Sequence, residues 1–173
     1  MNLTHMIGCR TGLQWRENRK AVRPPLQTHI IGNNMTTVEV IEKIGSNAQA
    51  VWNILGDFGG IKAGGHITEF SLDGEGVGAV RTITMGGTNI VERLEEFDAE
   101  NRSLKYALLN DDSPLPVSQY SATIEVISDG EDACTVKWIG SFEPKGVPKW
   151  LATKAVRSIY TRGIARAREE TGG

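Results

Sequence analysis

The sequence predicts an α+β fold in which a seven-stranded antiparallel sheet wraps around one long C-terminal helix. Alternating apolar and polar residues, the period of a strand with two unlike faces, recur in seven segments between residues 37 and 143. A long amphipathic helical pattern follows them over residues 149–168. Because a twisted sheet must cover its apolar face, we expect the sheet to curl around this helix.

Residues 1–34 differ from the rest of the chain. They hold five basic residues and one acidic residue, a balance of +4, so that the total charge of −2 leaves −6 for residues 35–173. They show no sustained period, and no apolar stretch of secretory-signal length follows a charged start. An organellar transit peptide is one interpretation. We favour the other, a poorly ordered leader or a mis-assigned start whose true first residue is Met35.

Length and charge narrow the class of protein. The remaining residues, 35–173, are enough for one domain with a core, and we expect a single ligand-binding domain there. No apolar run approaches the ~18 residues of a membrane span. An acidic body argues against nucleic acid as a partner. Cys9 and Cys134 offer no disulfide framework, so a reducing, cytoplasmic setting is expected.

The first elements are a strand and a short helix. The strand is predicted over residues 37–44, and a side-chain oxygen of Ser46 or Asn47 can cap a helix that ends at Gly56. Residues 58–65 are predicted as a second short helix or a loop. Their four glycines favour a mobile segment near a pocket mouth.

Six further strands follow. Gly74, Gly76 and Ala79 match a loose dinucleotide-binding fingerprint, but a strand pattern follows them where the fingerprint requires a helix, so we expect no nucleotide cofactor. No other cofactor is expected. The predicted strands cover residues 66–72, 79–85, 88–98, 102–109, 117–127 and 134–143.

The C-terminal helix is predicted to bury a stripe of mostly small residues. Small side chains on this face leave space between helix and sheet, and that space is the candidate pocket. Basic residues cover its other faces; we interpret them as a solvated surface, with contact to a membrane surface as the alternative. The predicted stripe is Ala152, Val156, Ile159, Gly163 and Ala167.

Polar residues stand in register with the apolar face of the central strands. Arg81, Glu92, Tyr106 and Tyr120 share the side that carries Ile83, Met85, Ile90, Leu94, Leu104 and Leu108. Such a set is either a polar cluster that satisfies itself or the lining of a cavity, and we interpret it as a cavity. Counting from the Gly86-Gly87 turn places Arg81 nearly opposite Glu92, so an ion pair is expected. The predicted ligand-binding residues are Arg81, Ile83, Met85, Ile90, Glu92, Tyr106, Leu108, Tyr120, Trp138, Ile159 and Gly163.

Several local sequences stand in a distinctive order and spacing along the chain. They are Val51-Trp52-Asn53-Ile54-Leu55, Asp57-Phe58-Gly59-Gly60, residues 76–82, Val91-Glu92-Arg93-Leu94, Asp98, Arg102, Pro114-Leu115-Pro116-Val117, Tyr120, Trp138, Phe142 and Pro144. Taken together they resemble the START/Bet v 1-like superfamily, also called SRPBCC, and in particular its bacterial polyketide cyclase/dehydrase-type members. The resemblance covers about residues 37–168 and implies a helix-grip fold with an internal ligand cavity.

The layout is also similar to that of plant abscisic-acid receptors. That resemblance implies a gate loop at residues 85–88, a latch at about residues 110–115, and pocket roles for Glu92, Arg81 and Tyr120. Two departures argue against hormone sensing of that kind. Gly65 stands where those receptors have the lysine that grips the hormone's carboxylate, and the gate lacks the Ser-Gly-Leu-Pro sequence. Many bacterial relatives also have a tryptophan where this chain has Gly64-Gly65, so a wider entrance is expected.

Three functions follow as hypotheses. The first is binding of a small hydrophobic ligand, aromatic, polyketide-like or lipid, by a monomer or weak homodimer. The second is a cyclase or dehydratase in which Glu92 accepts a proton and Arg81 stabilises an enolate, although no nucleophile–base pair is visible. The third is a regulator whose loops close over a ligand to form a partner-binding surface. A purely structural Arg81–Glu92 pair is the alternative to all three, because a lone buried charge costs several kcal/mol.

A metal site is not expected. Two of the three histidines, His5 and His29, belong to the leader. The third, His66, and Glu69 are three residues apart on a predicted strand, so their side chains would point to opposite faces.

Overall fold

The computed structural model describes residues 35–173, and the expectations for residues 1–34 lie outside these described residues. The α+β class and the seven-stranded antiparallel sheet followed by a long C-terminal helix are confirmed. In chain order the elements are β1 (Thr36–Ile44), α1 (Ala48–Leu55), β2 (Ile67–Asp73), β3 (Val80–Met85), β4 (Thr88–Asp98), β5 (Ser103–Leu108), β6 (Val117–Ser128), β7 (Cys134–Pro144) and α2 (Lys149–Thr171).

The strands form one sheet in the order β1-β7-β6-β5-β4-β3-β2, and all neighbours are antiparallel. Met85 pairs with Thr88, and Val117 pairs with Pro144. These pairings place the β3–β4 turn, the β5–β6 loop and the β7–α2 loop at the same end of the sheet. We call this end, formed by residues 86–87, 109–116 and 145–148, the loop end.

The prediction for the first helix is confirmed, and the prediction of a second short helix after β1 is wrong. Asn47 caps α1, since its side-chain oxygen accepts hydrogen bonds from the amides of residues 49 and 50. Residues 56–66 form turns and a single bridge between Gly64 and Ile67. The four glycines account for the missing helix, because glycine loses more backbone entropy in a helix than any other residue, and Gly65 adopts a φ of 58°.

The buried face of α2 differs from the predicted stripe. Ala152, Val156 and Ala167 are buried as expected, but the positions between them are Tyr160 and Ile164. Ile159 is only partly buried against the core, and Gly163 is half-buried. A tyrosine therefore stands where short side chains were expected, and its ring occupies part of the space between helix and sheet. None of the described helices is long and apolar enough to cross a membrane.

Candidate functional site

A buried ion pair joins the two strands of the β3–β4 hairpin. Gly86 and Gly87 form its tight turn with φ of 57° and 79°, values that glycine adopts without steric cost. Five steps from the turn on each side, Arg81 and Glu92 are direct cross-strand partners, as the sequence predicts. The arginine Nε and Nη2 both lie 2.7 Å from Glu92 Oε2. Only 12% of the arginine side chain and 6% of the glutamate side chain are exposed, so this pair is largely desolvated.

Two aromatic rings enclose the guanidinium of Arg81. Its Cζ lies 4.2 Å from the centre of the Phe58 ring and 5.0 Å from that of Tyr106, distances typical of cation–π contacts. Arg81 Nη1 also donates to the Phe58 carbonyl oxygen at 3.3 Å. Phe58 belongs to the loop after α1, so this loop packs against the guanidinium that β3 carries. The guanidinium is thus held by contacts with three residues, Glu92, Phe58 and Tyr106.

The tyrosine hydroxyls bond to one another rather than to the ion pair. The Tyr120 hydroxyl oxygen lies 3.2 Å from that of Tyr106 and 2.8 Å from that of Tyr160, so it is hydrogen-bonded to both. The indole N–H of Trp138 donates to the Tyr106 hydroxyl at 3.2 Å, and its ring stacks on Tyr160 with centres 4.8 Å apart. We call these four residues the tyrosine network. The three hydroxyls have three hydrogens, and the two hydroxyl–hydroxyl bonds use two of them. The third hydrogen is available for a further acceptor.

Burial fixes the protonation state of the tyrosine network. Loss of hydration raises the pKa of Tyr106, Tyr120 and Tyr160 above the ordinary value of 10.0. The charge of Glu92 raises the pKa of Tyr106 further. All three hydroxyls are therefore neutral at physiological pH. They can donate and accept hydrogen bonds there, but none of them serves as a phenolate base.

Sequence reasoning missed Tyr160, and two glycines explain its position. At Gly140 on β7 an added Cβ would overlap the Tyr160 hydroxyl, so only glycine lets the phenol reach the sheet. At Gly163 on α2 an added Cβ would lie 2.7 Å from the Trp138 ring. The available signal was that Tyr160 follows Val156 by four residues and so lies on the same helix face. The predicted stripe contained Ile159 instead, because isoleucine is more apolar than tyrosine.

An apolar wall extends from the ion pair toward the loop end. Ile83 and Ile90 pair across β3 and β4, and Leu108 on β5 pairs with Glu92. Ile83 and Ile90 are buried, yet they do not belong to the hydrophobic core cluster that contains the tyrosine network. Met85, half-buried, ends the same strand face at the turn. These predicted residues of β3, β4 and β5 thus share one face of the sheet, whereas Gly163 of α2 lies against Trp138 on β7.

A groove opens beside α1, away from the predicted site. Its volume is about 410 Å³, and no predicted ligand-binding residue lines it. Phe58 belongs both to this groove and to the surroundings of Arg81. Among the described residues there is no group of three or more His, Cys, Asp or Glu that could hold a metal ion. The groove is lined by Gly56, Asp57, Phe58, Gly59, Leu72, Glu75, Gly76, Ala79, Leu94 and Phe97.

A comparison with models of protein families shows which family the chain belongs to. The family model described as polyketide cyclase / dehydrase and lipid transport matches residues 35–171, almost all of the described part. The chain belongs to this family. A comparison with curated proteins finds no match.

Solved structures place this family member in the Bet v 1-like fold. An uncharacterized protein from Bacillus thuringiensis is 27% identical with a TM-score of 0.69, and the match covers 80% of this chain and 100% of that one. XoxI from Bacillus cereus is also 27% identical with a TM-score of 0.69, over 79% of this chain and 95% of that one. Norcoclaurine synthase from Thalictrum flavum, solved with dopamine and hydroxybenzaldehyde, is 21% identical with a TM-score of 0.60, over 78% and 84%. At that identity the likeness concerns the fold alone.

Proposed function

We propose that this protein binds a small, largely apolar molecule between α2 and the sheet face that carries Arg81 and Glu92. The observation that carries the proposal is the position of the Arg81–Glu92 pair at the inner end of an apolar wall. Ile83 and Ile90 form this wall, and both lie outside the core cluster. A few polar groups among apolar side chains are the usual composition of a small-molecule site.

The ion pair favours a ligand whose polar end is neutral. Both contacts of Arg81 use Glu92 Oε2, so within residues 35–173 the Oε1 atom remains available as an acceptor. The guanidinium has five N–H donors, and the glutamate and the Phe58 carbonyl do not use all of them. A hydroxyl or an amide could therefore donate to Glu92 and accept from Arg81. A carboxylate would add a third charge to a pair that is already balanced and desolvated, which costs several kcal/mol.

The family supports the same class of ligand. Its description combines polyketide chemistry with lipid transport, and both involve largely apolar molecules with a few oxygen atoms. Norcoclaurine synthase, which shares the fold, was solved with two small phenolic or aromatic compounds. We therefore propose an aromatic, polyketide-like or lipid molecule with a neutral oxygen function.

Capture from a cell extract tests the proposal. The purified protein is incubated with extract and washed, and the retained compounds are identified by mass spectrometry. Glu92→Gln removes the buried acceptor charge, so we expect it to weaken retention by about 10- to 100-fold, the value of one hydrogen bond to a charged group. Glu96→Gln is the matched control, because Glu96 pairs with Lys105 at 3.1 Å but is 70% exposed. Equal retention by both variants, or retention of a carboxylic acid, would contradict the proposal.

Catalysis is the second candidate, and one observation favours it. Glu92 is a buried carboxylate with one oxygen available as an acceptor, which is what a general base for a cyclisation or dehydration requires. The family description includes both reactions. The same capture separates the two functions. A compound recovered unchanged favours binding alone. A compound that the native protein converts and the Glu92→Gln variant only binds favours the enzyme.

A further inference from the structure

The β7–α2 loop and most of α2 carry side-chain charges of one sign only. Residues 144–168 contain seven basic residues and no acidic residue, within a domain whose net charge is −6. In the second half of α2 the charges are neutralised locally, since Arg166 pairs with Glu170 at 2.9 Å and Arg168 with Glu42 at 2.8 Å. Within residues 35–173, Lys149 and Lys154 in the first half form no such salt bridge.

Two large apolar side chains are exposed among these lysines. Trp150 is 67% exposed, more than any other large apolar side chain of the described residues, and its neighbour Leu151 is 38% exposed. Tryptophan at such exposure gains by entering a medium that is apolar on one side and wet on the other. We call Lys149, Trp150, Leu151 and Lys154 the α2 patch.

The α2 patch adjoins the loop end. Lys145, just before α2, donates through Nζ to the carbonyl oxygens of Asp111 and Ser113, each at 2.8 Å. The backbone amide of Lys145 also donates to the Pro116 carbonyl. These bonds tie the start of α2 to the β5–β6 loop. The α2 patch therefore lies at the same end of the molecule as the β3–β4 turn, beyond which the apolar wall begins.

We propose that the α2 patch docks this protein onto an anionic lipid bilayer. Lysines on a surface near anionic lipids each add attraction, and an exposed tryptophan inserts at the level of the headgroups. A second copy of the chain fits less well. A two-fold contact would bring the same lysines against each other, and like charges that face each other across an interface repel. The inference concerns the outer surface and does not require the proposed interior site.

Vesicle flotation with the full chain tests the docking. Vesicles of phosphatidylcholine alone are compared with vesicles that also contain phosphatidylserine. We expect binding to the anionic vesicles that weakens with added salt, and little binding to the neutral ones. Lys149→Gln with Lys154→Gln should lower the affinity on the order of thirtyfold, and Trp150→Ala should lower it again. The basic residues of 1–34 are the same in every variant, so they cancel from the comparison.

The control changes one lysine and one exposed large apolar residue at the opposite end of the sheet. Lys43 is the penultimate residue of β1, and Ile127, 48% exposed, is the penultimate residue of β6. Lys43→Gln with Ile127→Ala should leave vesicle binding unchanged. Circular dichroism establishes that each variant is folded. Quenching of tryptophan fluorescence by brominated lipids in the native protein, lost on Trp150→Phe, would support insertion of Trp150. If the α2 patch variants bind as the native protein does, or neutral vesicles bind equally well, the inference is wrong.

Discussion

Replacing Gly140 by alanine tests the closest approach between helix and sheet. A Cβ at this position would overlap the Tyr160 hydroxyl and lie 3.0 Å from its Cζ. The far end of a flexible side chain could move aside at little cost. Tyr160 cannot, because it is fully buried, stacks on Trp138 and is hydrogen-bonded to Tyr120 at 2.8 Å. The alanine must therefore displace a ring that is fixed on two sides.

The expected cost has two parts. Overpacking a core by one methyl group costs about 1–3 kcal/mol, and losing the hydrogen bond to Tyr120 costs about 1 kcal/mol more. Gly140→Ala should therefore lower the free energy of unfolding by about 2–4 kcal/mol. Tyr160→Phe alone removes only the hydroxyl and should cost about 0.5–1.5 kcal/mol. In the double variant the overlapping oxygen is absent, so it should be at least ~1 kcal/mol more stable than Gly140→Ala.

Urea unfolding followed by circular dichroism measures all three variants, with unchanged m-values as the condition for comparing them. Gly45→Ala is the matched control, because a Cβ at Gly45 has no atom within 4 Å. It should change the stability by less than about 0.5 kcal/mol. If Gly140→Ala is as stable as Gly45→Ala, or if adding Tyr160→Phe lowers its stability further, the described contact between α2 and β7 is wrong.

Two further predictions concern the buried polar groups. The chain has three tyrosines, all in the tyrosine network, and burial raises the pKa of each. Their contribution to stability is therefore complete below the ordinary value of 10.0 and is lost as the pH rises above it. Phenolate absorbance at 295 nm should appear only together with unfolding. If the tyrosines of the still folded protein titrate near pH 10.0, the tyrosine network is wrong. Arg81→Met leaves Glu92 buried without its cation and should cost about 3–5 kcal/mol in urea unfolding. Arg93→Met should cost less than about 1 kcal/mol, since Arg93 and Glu95 are 46% and 29% exposed; equal losses would refute the buried pair.

The sheet could be predicted closely because its signals are local. Two-residue alternation and glycine turns determine where each strand begins and ends, and the Gly86-Gly87 turn alone fixes the register of Arg81 against Glu92. The wrong prediction of a second helix was a local error, because the four glycines of residues 58–65 already argued against a helix there. Here the sequence contained enough information for the correct result.

The interior could not be predicted in the same way because it depends on distances between elements. Ile159 and Tyr160 are neighbours on α2, and a helical period alone does not decide which of them faces β7. The choice depends on Gly140, which belongs to another element and admits the hydroxyl. Phe58 likewise covers Arg81 from a loop whose path no periodicity describes. Contacts of this kind appear only when strands and helices are assembled.

The position of Tyr160 changes which groups are left for a ligand. If the space under α2 were empty, four polar side chains would face it, and the ligand could be bonded along its whole length. In the structure Tyr106, Tyr120 and Tyr160 use most of their hydrogen-bonding capacity on one another and on Trp138. The polar groups with capacity to spare are then Arg81, Glu92 and one hydroxyl hydrogen. A ligand held there would be polar at one end and apolar along the wall that leads to the loop end. Because the α2 patch lies at that same end, a molecule leaving a bilayer could enter with its apolar part last.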